Sequence, residues 1–582
     1  MLLEKCGMET FGQLKKYLKE DFKNLKLVKV AMIGDTATQF LTQAIRAYGC
    51  KLGFNLQIWE ADFNQIDRQV FDASSEMYAF APEIIIIFHS SHKLLSKYNK
   101  LSTSIQVNLA DDHLNLLKNI VEKINVQLLS KIIYFNFTEI DDAVYGNYSN
   151  KIESSFLYQI RKINFKLMEF ASKNPNFHVC DLSAIQNQTG KINLFSTSVY
   201  INTDMVLSID ALPAIAAKTT TLIGAIYGKI VKCLILDLDN TLWGGVIGDD
   251  GIENIQLGSL GIGKAFTEFQ HWILKLKNRG IILAVCSKNS EAIAKEPFEK
   301  HPDMVLQLAD IAVFVANWNN KVDNIRQIQS VLNIGFDSIV FLDDNPFERN
   351  MVKENIDDII VPELPEDPAD YLEFLYQLNL FETVSFSNED TERTSQYQIS
   401  EIRKSSQNSF VNEEEYLDSL EMVSSIESFN KFNIPRVAQL SQRSNQFNLR
   451  TIRYSETDIE VSITEKDVYS FTFTLDDKFG NNGMICVIIL NKLDDETLFI
   501  DTWFMSCRVL KRGMENFALN TIVEFAIKNN FIYLQGEYVA TPKNQLVKDH
   551  YQNLGFNKVG DGDYWVLSVN SYIPTKVYIT TK

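Results

Sequence analysis

The chain has 582 residues, 46% of them apolar and 22% charged, an ordinary composition for a protein with ample core and room for two to four domains. Its 74 acidic and 56 basic residues leave a formal charge of −18, which argues against nucleic acid or an anionic membrane surface as the main partner. Purely apolar stretches such as residues 84–88 are far too short to span a bilayer. The seven cysteines are scattered without C-x-x-C pairs, and residues 1–19 carry no signal-peptide pattern, so a reduced, cytoplasmic protein is expected.

Residues 1–225 read as a first α/β domain. Apolar runs at 27–33, 56–59, 84–88 and 131–137 have strand length and alternate with helical patterns, a doubly wound layout. The first run ends in Gly34-Asp35-Thr36. His89 and His92 flank Ser90-Ser91 after the third run; with no third ligand near in sequence, a surface turn is the expectation and a metal site is not.

Residues 226–385 form the second domain and carry the chemistry. The apolar run 232–236 stops abruptly at Asp237-Leu238-Asp239-Asn240-Thr241. Side chains two apart on extended backbone point the same way, so Asp237 and Asp239 project together. Carboxylates so crowded repel unless a cation or a shared proton lies between them. An amphipathic helix follows at 263–278, with Phe266, Phe269, Ile273 and Leu276 on one face and Gly280 as its stop signal. A second strand, 281–285, ends in Cys286-Ser287-Lys288-Asn289. A third, 312–315, leads to Lys321 at a helix start, and a fourth, 338–342, ends in Asp343-Asp344. Strands alternating with helices predict a parallel sheet whose ligands gather at the carboxyl ends of the strands, and each of these special residues falls at such an end.

The residue types suit phosphoryl transfer. Asp237 is the candidate nucleophile and Asp239 the general acid/base. Thr241, Ser287, Asn289 and Lys321 are candidates for holding phosphate. Mg2+, a hard cation, would take Asp237, the Asp239 carbonyl and Asp344, with Asp343 as an alternate or supporting ligand. The insert at 243–251 is rich in turn residues and hairpin-sized: a flap over the site or a plain connector, but too short for a cap domain. Cys286 is a candidate acyl-carrying thiol, yet alternation turns it away from the face of Ser287, and an unpaired cysteine is commonly a small buried hydrophobe.

Residues 386–416 are polar and charged, a helical or mobile connector. In 417–582 a polar helical stretch at 436–449 precedes strands at 469–474, 484–490 and 497–505, and Arg508-Val-Leu-Lys511-Arg512-Gly513 opens an amphipathic helix.

The order D-x-D-x-T, strand-end Ser, Lys and acidic pair resembles the haloacid-dehalogenase phosphatase superfamily. The segments DLDNTLWGGVIGDDG, VCSKN, FVANWNNK and FLDDNPFERN are similar to its FkbH-like branch. That resemblance implies an enzyme that takes the three-carbon acyl group of 1,3-bisphosphoglycerate, loads it onto a phosphopantetheinylated acyl-carrier protein and removes phosphate, in polyketide or surface-polysaccharide biosynthesis. Such partners are acidic, so a local basic patch is required in this acidic chain. Gly34-Asp35-Thr36 resembles the opening of the SGNH-hydrolase fold, with Thr in the nucleophile position; residues 202–210, where that fold places its late Asp and His, contain no histidine, so no catalytic triad is expected. The region around residue 508 resembles the acyl-CoA loop of the GNAT fold, which implies Arg508, Arg512 and Gly513 as a phosphopantetheine or acyl-CoA site; Lys511 stands where that loop has its first glycine. The expected architecture is therefore three-domain α/β, a central parallel sheet between an SGNH- or flavodoxin-like domain and a GNAT-like α+β domain. Two rival functions remain open, a small-molecule phosphatase without acyl transfer and a non-catalytic scaffold that docks carrier proteins.

Overall fold

In the first unit of the chain the apolar runs become five parallel strands. They are β1 (Lys26–Gly34), β2 (Phe54–Glu60), β3 (Ile84–Phe88), β4 (Lys131–Phe135) and β5 (Phe177–Cys180), in the order β2-β1-β3-β4-β5. The computed structural model describes residues 9–582 except 20, 21, 23, 24, 408, 409, 411, 445, 507, 508, 542 and 561. Met1–Ile226 and Tyr227–Lys582 are its two compact units. Strand β3, with sequence IIIIF, is buried at every position, as a strand covered on both faces must be. The strands alternate with α1 (Gln39–Lys51), α2 (Ser91–Tyr98), α3 (Leu109–Gln127), α4 (Phe156–Ala171) and α5 (Leu212–Ile226). The segment Ile209–Ile226 is long and apolar enough to cross a membrane by composition, but 67% of it is buried in the protein and it serves as a core helix.

Two local expectations change here. Strand β5 has four residues and only two buried positions, too weak a pattern to read from sequence. The His89–His92 turn is not a surface feature: Ser90 and Ser91 are 1% and 3% exposed, His89 Nδ1 lies 3.0 Å from the Tyr134 hydroxyl, and His92 packs edge-on against Phe195. Aromatic neighbours from distant segments cover the turn. Thr36 is fully buried.

The second unit contains two sheets. The first has four parallel strands, β6 (Cys233–Leu236), β7 (Ile282–Ser287), β8 (Ile311–Ala316) and β9 (Ile339–Leu342), in the order β8-β7-β6-β9. Helix α6 (Gly261–Asn278) buries Phe266, Phe269, Ile273 and Leu276 against it. The helix ends at Gly280, whose φ of +96° is the left-handed conformation that favours glycine and whose Cα faces the buried Asp390 closely. Helix α7 (Lys321–Leu332) follows β8, and helix α8 (Pro346–Asn355) follows β9. The insert after Thr241 contains a short helical turn, Ile247–Asp250, between Gly244 and Gln256, which exchange both backbone hydrogen bonds in an antiparallel bridge; Trp243 at its root is completely buried against Phe298, which pins it down.

Residues 393–407 of the expected connector form helix α9 (Arg393–Gln407), which lies against the four-stranded sheet through Gln398, donating to the carbonyls of Ala309 and Ile311. The second sheet comprises β10 (Met422–Ser424), β11 (Ile426–Glu427), β12 (Val468–Asp477), β13 (Gly480–Lys492), β14 (Thr497–Met505), β15 (Tyr533–Glu537), β16 (Asn557–Lys558), β17 (Tyr564–Ser568) and β18 (Ile579–Thr581). Its centre, β12 to β14, is antiparallel, while β14 and β15 run parallel. A preceding helix α10 (Ile434–Arg443) and the crossover helix α11 (Met514–Lys528) between β14 and β15 complete a GNAT-like α+β layout. Pairing of β14 with β15 stops at Ile500 and Gly536. Beyond that point the edge of β14 is satisfied by the chain itself: Leu449 donates to the Trp503 carbonyl, Met505 to the Phe447 carbonyl, and Val539 to the Leu449 carbonyl.

Candidate active site

The carboxyl edge of the four-stranded sheet gathers the acidic residues. Asp237 continues β6, its N–H donating to the Leu342 carbonyl of β9 at 3.0 Å. Leu238 turns into the core, and Asn240 adopts φ +57°, which reverses the chain so that Thr241 is fully buried. Asp343 and Asp344 leave β9 beside them. Carboxylate oxygens of Asp237, Asp343 and Asp344 all lie within 4.8 Å of one another.

Among the described residues, one side-chain ammonium pairs with this group. Lys321, at the first turn of α7 and 3% exposed, reaches Asp237 Oδ1 at 3.0 Å and Asp343 Oδ2 at 2.5 Å. Burial works against its charge, but the Asp237 and Asp343 carboxylates outweigh burial and hold the ammonium above the usual lysine range. Asp343 is fully buried; burial first, and then the charge of Asp237, raises its carboxyl to about 7. Asp344 is raised by the same two causes in the same order. Three carboxylates against one ammonium hold more negative charge than the protein balances, and oxygen-only donors in that arrangement fit a hard divalent cation.

Asp239 stands apart from the cluster. Its Oδ1 accepts from the Trp243 indole N–H at 2.9 Å and from the Ile247 N–H at 3.0 Å, and its Oδ2 accepts from Asn289 Nδ2 at 3.2 Å. Burial raises its carboxyl despite these donors. Both side-chain oxygens of Asp239 are thus engaged by donors of the protein, which leaves its main-chain carbonyl to face a cation.

Several expectations are revised. Thr241 does not offer its hydroxyl to a phosphate: that hydroxyl accepts from the Asp344 N–H at 3.1 Å and donates to Asp344 Oδ1 at 3.3 Å, tying the two loops together. Asn289 is likewise committed to Asp239 and to the Ser290 N–H. Ser287, 2% exposed, ends β7 at the same edge of the sheet. Cys286 is not an acyl-carrying thiol. It is fully buried in an apolar cluster with Ile235, Val322 and Phe341, and burial pushes its thiol well above the usual cysteine range. In the C-terminal sheet, Arg512 pairs with the buried Asp477 at 3.1 Å, and Arg403 joins the same carboxylate at 2.9 Å, so Arg512 is engaged by the protein itself. Gly513 caps α11 in the left-handed region, at φ +77°, with open space where a Cβ would stand. Arg508 lies outside the described residues.

Three residues missed by sequence reasoning hold the site. Trp243 and the Ile247 N–H orient Asp239. Arg349, 4% exposed in α8, donates through Nη1 to the carbonyls of Asp343 and Asp344 at 2.8 and 2.6 Å and pairs with Glu363 at 3.0 Å, which fixes the acidic loop. Trp243 and Arg349 both occur in the segments that carry the family resemblance, and that is the signal that could have singled them out.

The family described as FkbH, N-terminal domain, matches residues 29–224. A solved structure, the N-terminal part of the protein BF1531 from Bacteroides fragilis, is 57% identical and covers 65% of this chain and 100% of that one, with a TM-score of 0.63. The chain belongs to the FkbH-like family. The BF1531 structure is described as containing a phosphatase domain complexed with Mg. The C-terminal part of this FkbH-like chain also aligns with the ribosomal-protein-S18-alanine N-acetyltransferase of Escherichia coli, at 17% identity, 25% coverage of this chain, 94% of that one and a TM-score of 0.21. No curated protein matches this FkbH-like chain.

Proposed function

We propose that this protein is a cytoplasmic, magnesium-dependent phosphoryl-transfer enzyme that loads a glyceryl-type acyl group from a 1,3-bisphosphoglycerate-type donor onto a phosphopantetheinylated acyl-carrier protein and removes the remaining phosphate, in polyketide or surface-polysaccharide biosynthesis. The observation that carries the reading is the Asp237 carboxylate, paired with the buried Lys321 and set two residues from an Asp239 whose burial favours a held proton. The likeness to the Mg-complexed BF1531 phosphatase domain supports the phosphatase half. Family membership supports the acyl half.

The carrier thiol attacks the donor's acyl carbon, the bond from that carbon to the phosphate oxygen breaks, and the thiol proton leaves with inorganic phosphate. An Asp237 oxygen then attacks the phosphorus of the remaining ester; the ester P–O bond breaks and Asp239 gives its proton to the leaving oxygen. Asp239 next takes a proton from water as the water oxygen attacks phosphorus, the aspartyl P–O bond breaks, and phosphate is released with Asp237 restored. Lys321 offsets charge at Asp237 Oδ1 throughout. Mg2+ bound by Asp237, Asp344 and the Asp239 carbonyl, with Asp343 beside it, would supply positive charge opposite the phosphoryl oxygens.

The test is intact-mass measurement of a carrier panel after incubation with Mg2+ and 1,3-bisphosphoglycerate. A glyceryl adduct is expected with the native enzyme. Asp237→Asn should lose at least about a hundred- to a thousandfold in phosphate removal and leave a phosphorylated adduct. A fully dephosphorylated adduct from Asp237→Asn would overturn the assignment. The second reading, a phosphatase without acyl transfer, is favoured by the commitment of Arg512 to Asp477; phosphate release with no carrier adduct would establish it.

A further inference from the structure

One cavity of the first unit holds none of the residues assigned to phosphoryl transfer. It has a volume of about 260 Å³ and lies at the carboxyl ends of β1 and β3, where Asp35 follows Gly34 and His89 follows Phe88. In the order β2-β1-β3-β4-β5 the chain leaves β1 on one side for β2 and returns on the other side for β3. Ligands of open parallel sheets collect in the crevice at such a reversal. Thr36 is fully buried and does not line the cavity, so the expected absence of a hydroxyl nucleophile there leaves binding as its use.

The polar wall mixes donors and acceptors. Asp35 and Asp67 accept, Lys97 donates and Asn64 does both. His89 adds a ring nitrogen of either sense. The Tyr134 hydroxyl lies 3.0 Å from His89 Nδ1 and 2.8 Å from His113 Nε2. Burial first, and then nearby positive charge, holds both rings below the usual histidine range, His89 at about 4, so both are neutral near pH 7. One hydroxyl has one proton, so it donates to one ring and accepts from the other. When it donates to His113, His89 carries its proton on Nδ1 and offers Nε2 as an acceptor. In the opposite arrangement His89 Nε2 carries the proton and donates. Among the described residues His89 Nε2 has no hydrogen-bond partner, which leaves it to a ligand.

The charges leave no excess of cations to draw an anion. Lys93 is held by both oxygens of Asp204, at 2.8 and 2.9 Å. Lys97 then stands against Asp35 and Asp67, and burial raises the Asp35 carboxyl to about 7, so its charge is only partly present at neutral pH. We propose that this cavity binds a small neutral polyol of the size of one sugar ring. A hydroxyl both donates and accepts, as Asn64 and the His89 ring do. Ile66, Leu94, Leu116 and Phe137 supply an apolar wall for the C–H face of such a ring. A volume just below the range of drug-sized sites fits one ring rather than a chain of them.

The test is a saturation-transfer NMR titration of the full-length protein in EDTA with myo-inositol, with methyl β-D-glucopyranoside, and with D-glycerate as a small anion. Saturable binding of at least one of the two polyols, with weaker binding of D-glycerate, is the expected result. His89→Phe and Lys97→Met should each weaken polyol binding about fivefold or more, while magnesium-dependent p-nitrophenyl phosphate hydrolysis stays within about twofold of native. Lys97 is exposed, so Lys97→Met decides if His89→Phe is poorly folded by circular dichroism. No saturable binding up to about 10 mM, binding of D-glycerate as tight as or tighter than that of both polyols, or native affinity in folded Lys97→Met overturns the proposal.

Discussion

Trp243 donates its indole N–H to Asp239 Oδ1 over 2.9 Å, from a position where the ring is completely buried. The residue that orients the acid/base carboxylate is thus locked by the core of the domain, and the short turn at 247–250 inherits that rigidity. Trp243→Phe keeps most of the apolar contact and removes the donor. Because a hydrogen bond to the ionised carboxylate favours the charged form, its loss should move the Asp239 limb of the pH–rate profile to higher pH. A fall in kcat of about tenfold is expected. An unshifted profile with unchanged kcat would mean that Trp243 serves packing alone.

Lys321 is buried between two carboxylates, so its removal leaves charge uncompensated. Lys321→Ala should destabilise the metal-free second unit by about 3–5 kcal/mol. Magnesium should restore part of that loss, since it supplies the missing positive charge. In the native protein, Mg2+ at about 100 times its dissociation constant should add roughly 2.7 kcal/mol, and Asp344→Ala should abolish most of that gain. Denaturant melts with and without Mg2+ measure all three, and a native protein indifferent to millimolar Mg2+ would contradict the ligand set.

Asp35 in the first unit offers a pH test. Burial raises its carboxyl to about 7, although the Ser90 N–H donates to both oxygens and Lys93 lies nearby. The folded state therefore binds the proton more tightly than the unfolded chain, whose carboxyl has the ordinary value of 3.8. Between those values the native state carries more protons, so stability is greatest at the acid end and falls as pH rises towards 7, with a slope approaching ~1.4 kcal/mol per pH unit. Asp35→Asn cannot titrate and should lack that slope. Parallel stability curves for the two proteins from pH 4.5 to about 8 would rule out a raised Asp35.

Cys286→Ala separates packing from catalysis. The thiol is held in apolar surroundings with its proton on, donating weakly to the Lys321 carbonyl at 3.9 Å. The variant should keep phosphate-ester hydrolysis and carrier loading within about twofold while losing roughly 1 kcal/mol of stability. Loss of the carrier adduct alone would restore an enzyme-thiol route.

The strands and the acidic edge were legible in the sequence because their signals are local. The abrupt end of an apolar run marks Asp237 at a strand end, although Asp239 turns away from it, and the 3.6-residue spacing of Phe266, Phe269, Ile273 and Leu276 marks a buried helix face. Cys286 was read as turned away from Ser287 for the same reason, and it packs in that way. The partners of each polar group were not legible, because they come from segments far apart in the chain. Thr241 and Asp344 are 103 residues apart, Asn289 and Asp239 are 50 apart, and Arg512 and Asp477 are 35 apart. The two guanidiniums paired with Asp390, those of Arg393 and Arg443, come from α9 and α10, 50 residues apart in the chain. Periodicity decides which face a side chain takes. Only packing decides which donor, acceptor or charge it meets there, because buried polar groups must be satisfied by whatever the tertiary fold brings within about 3 Å.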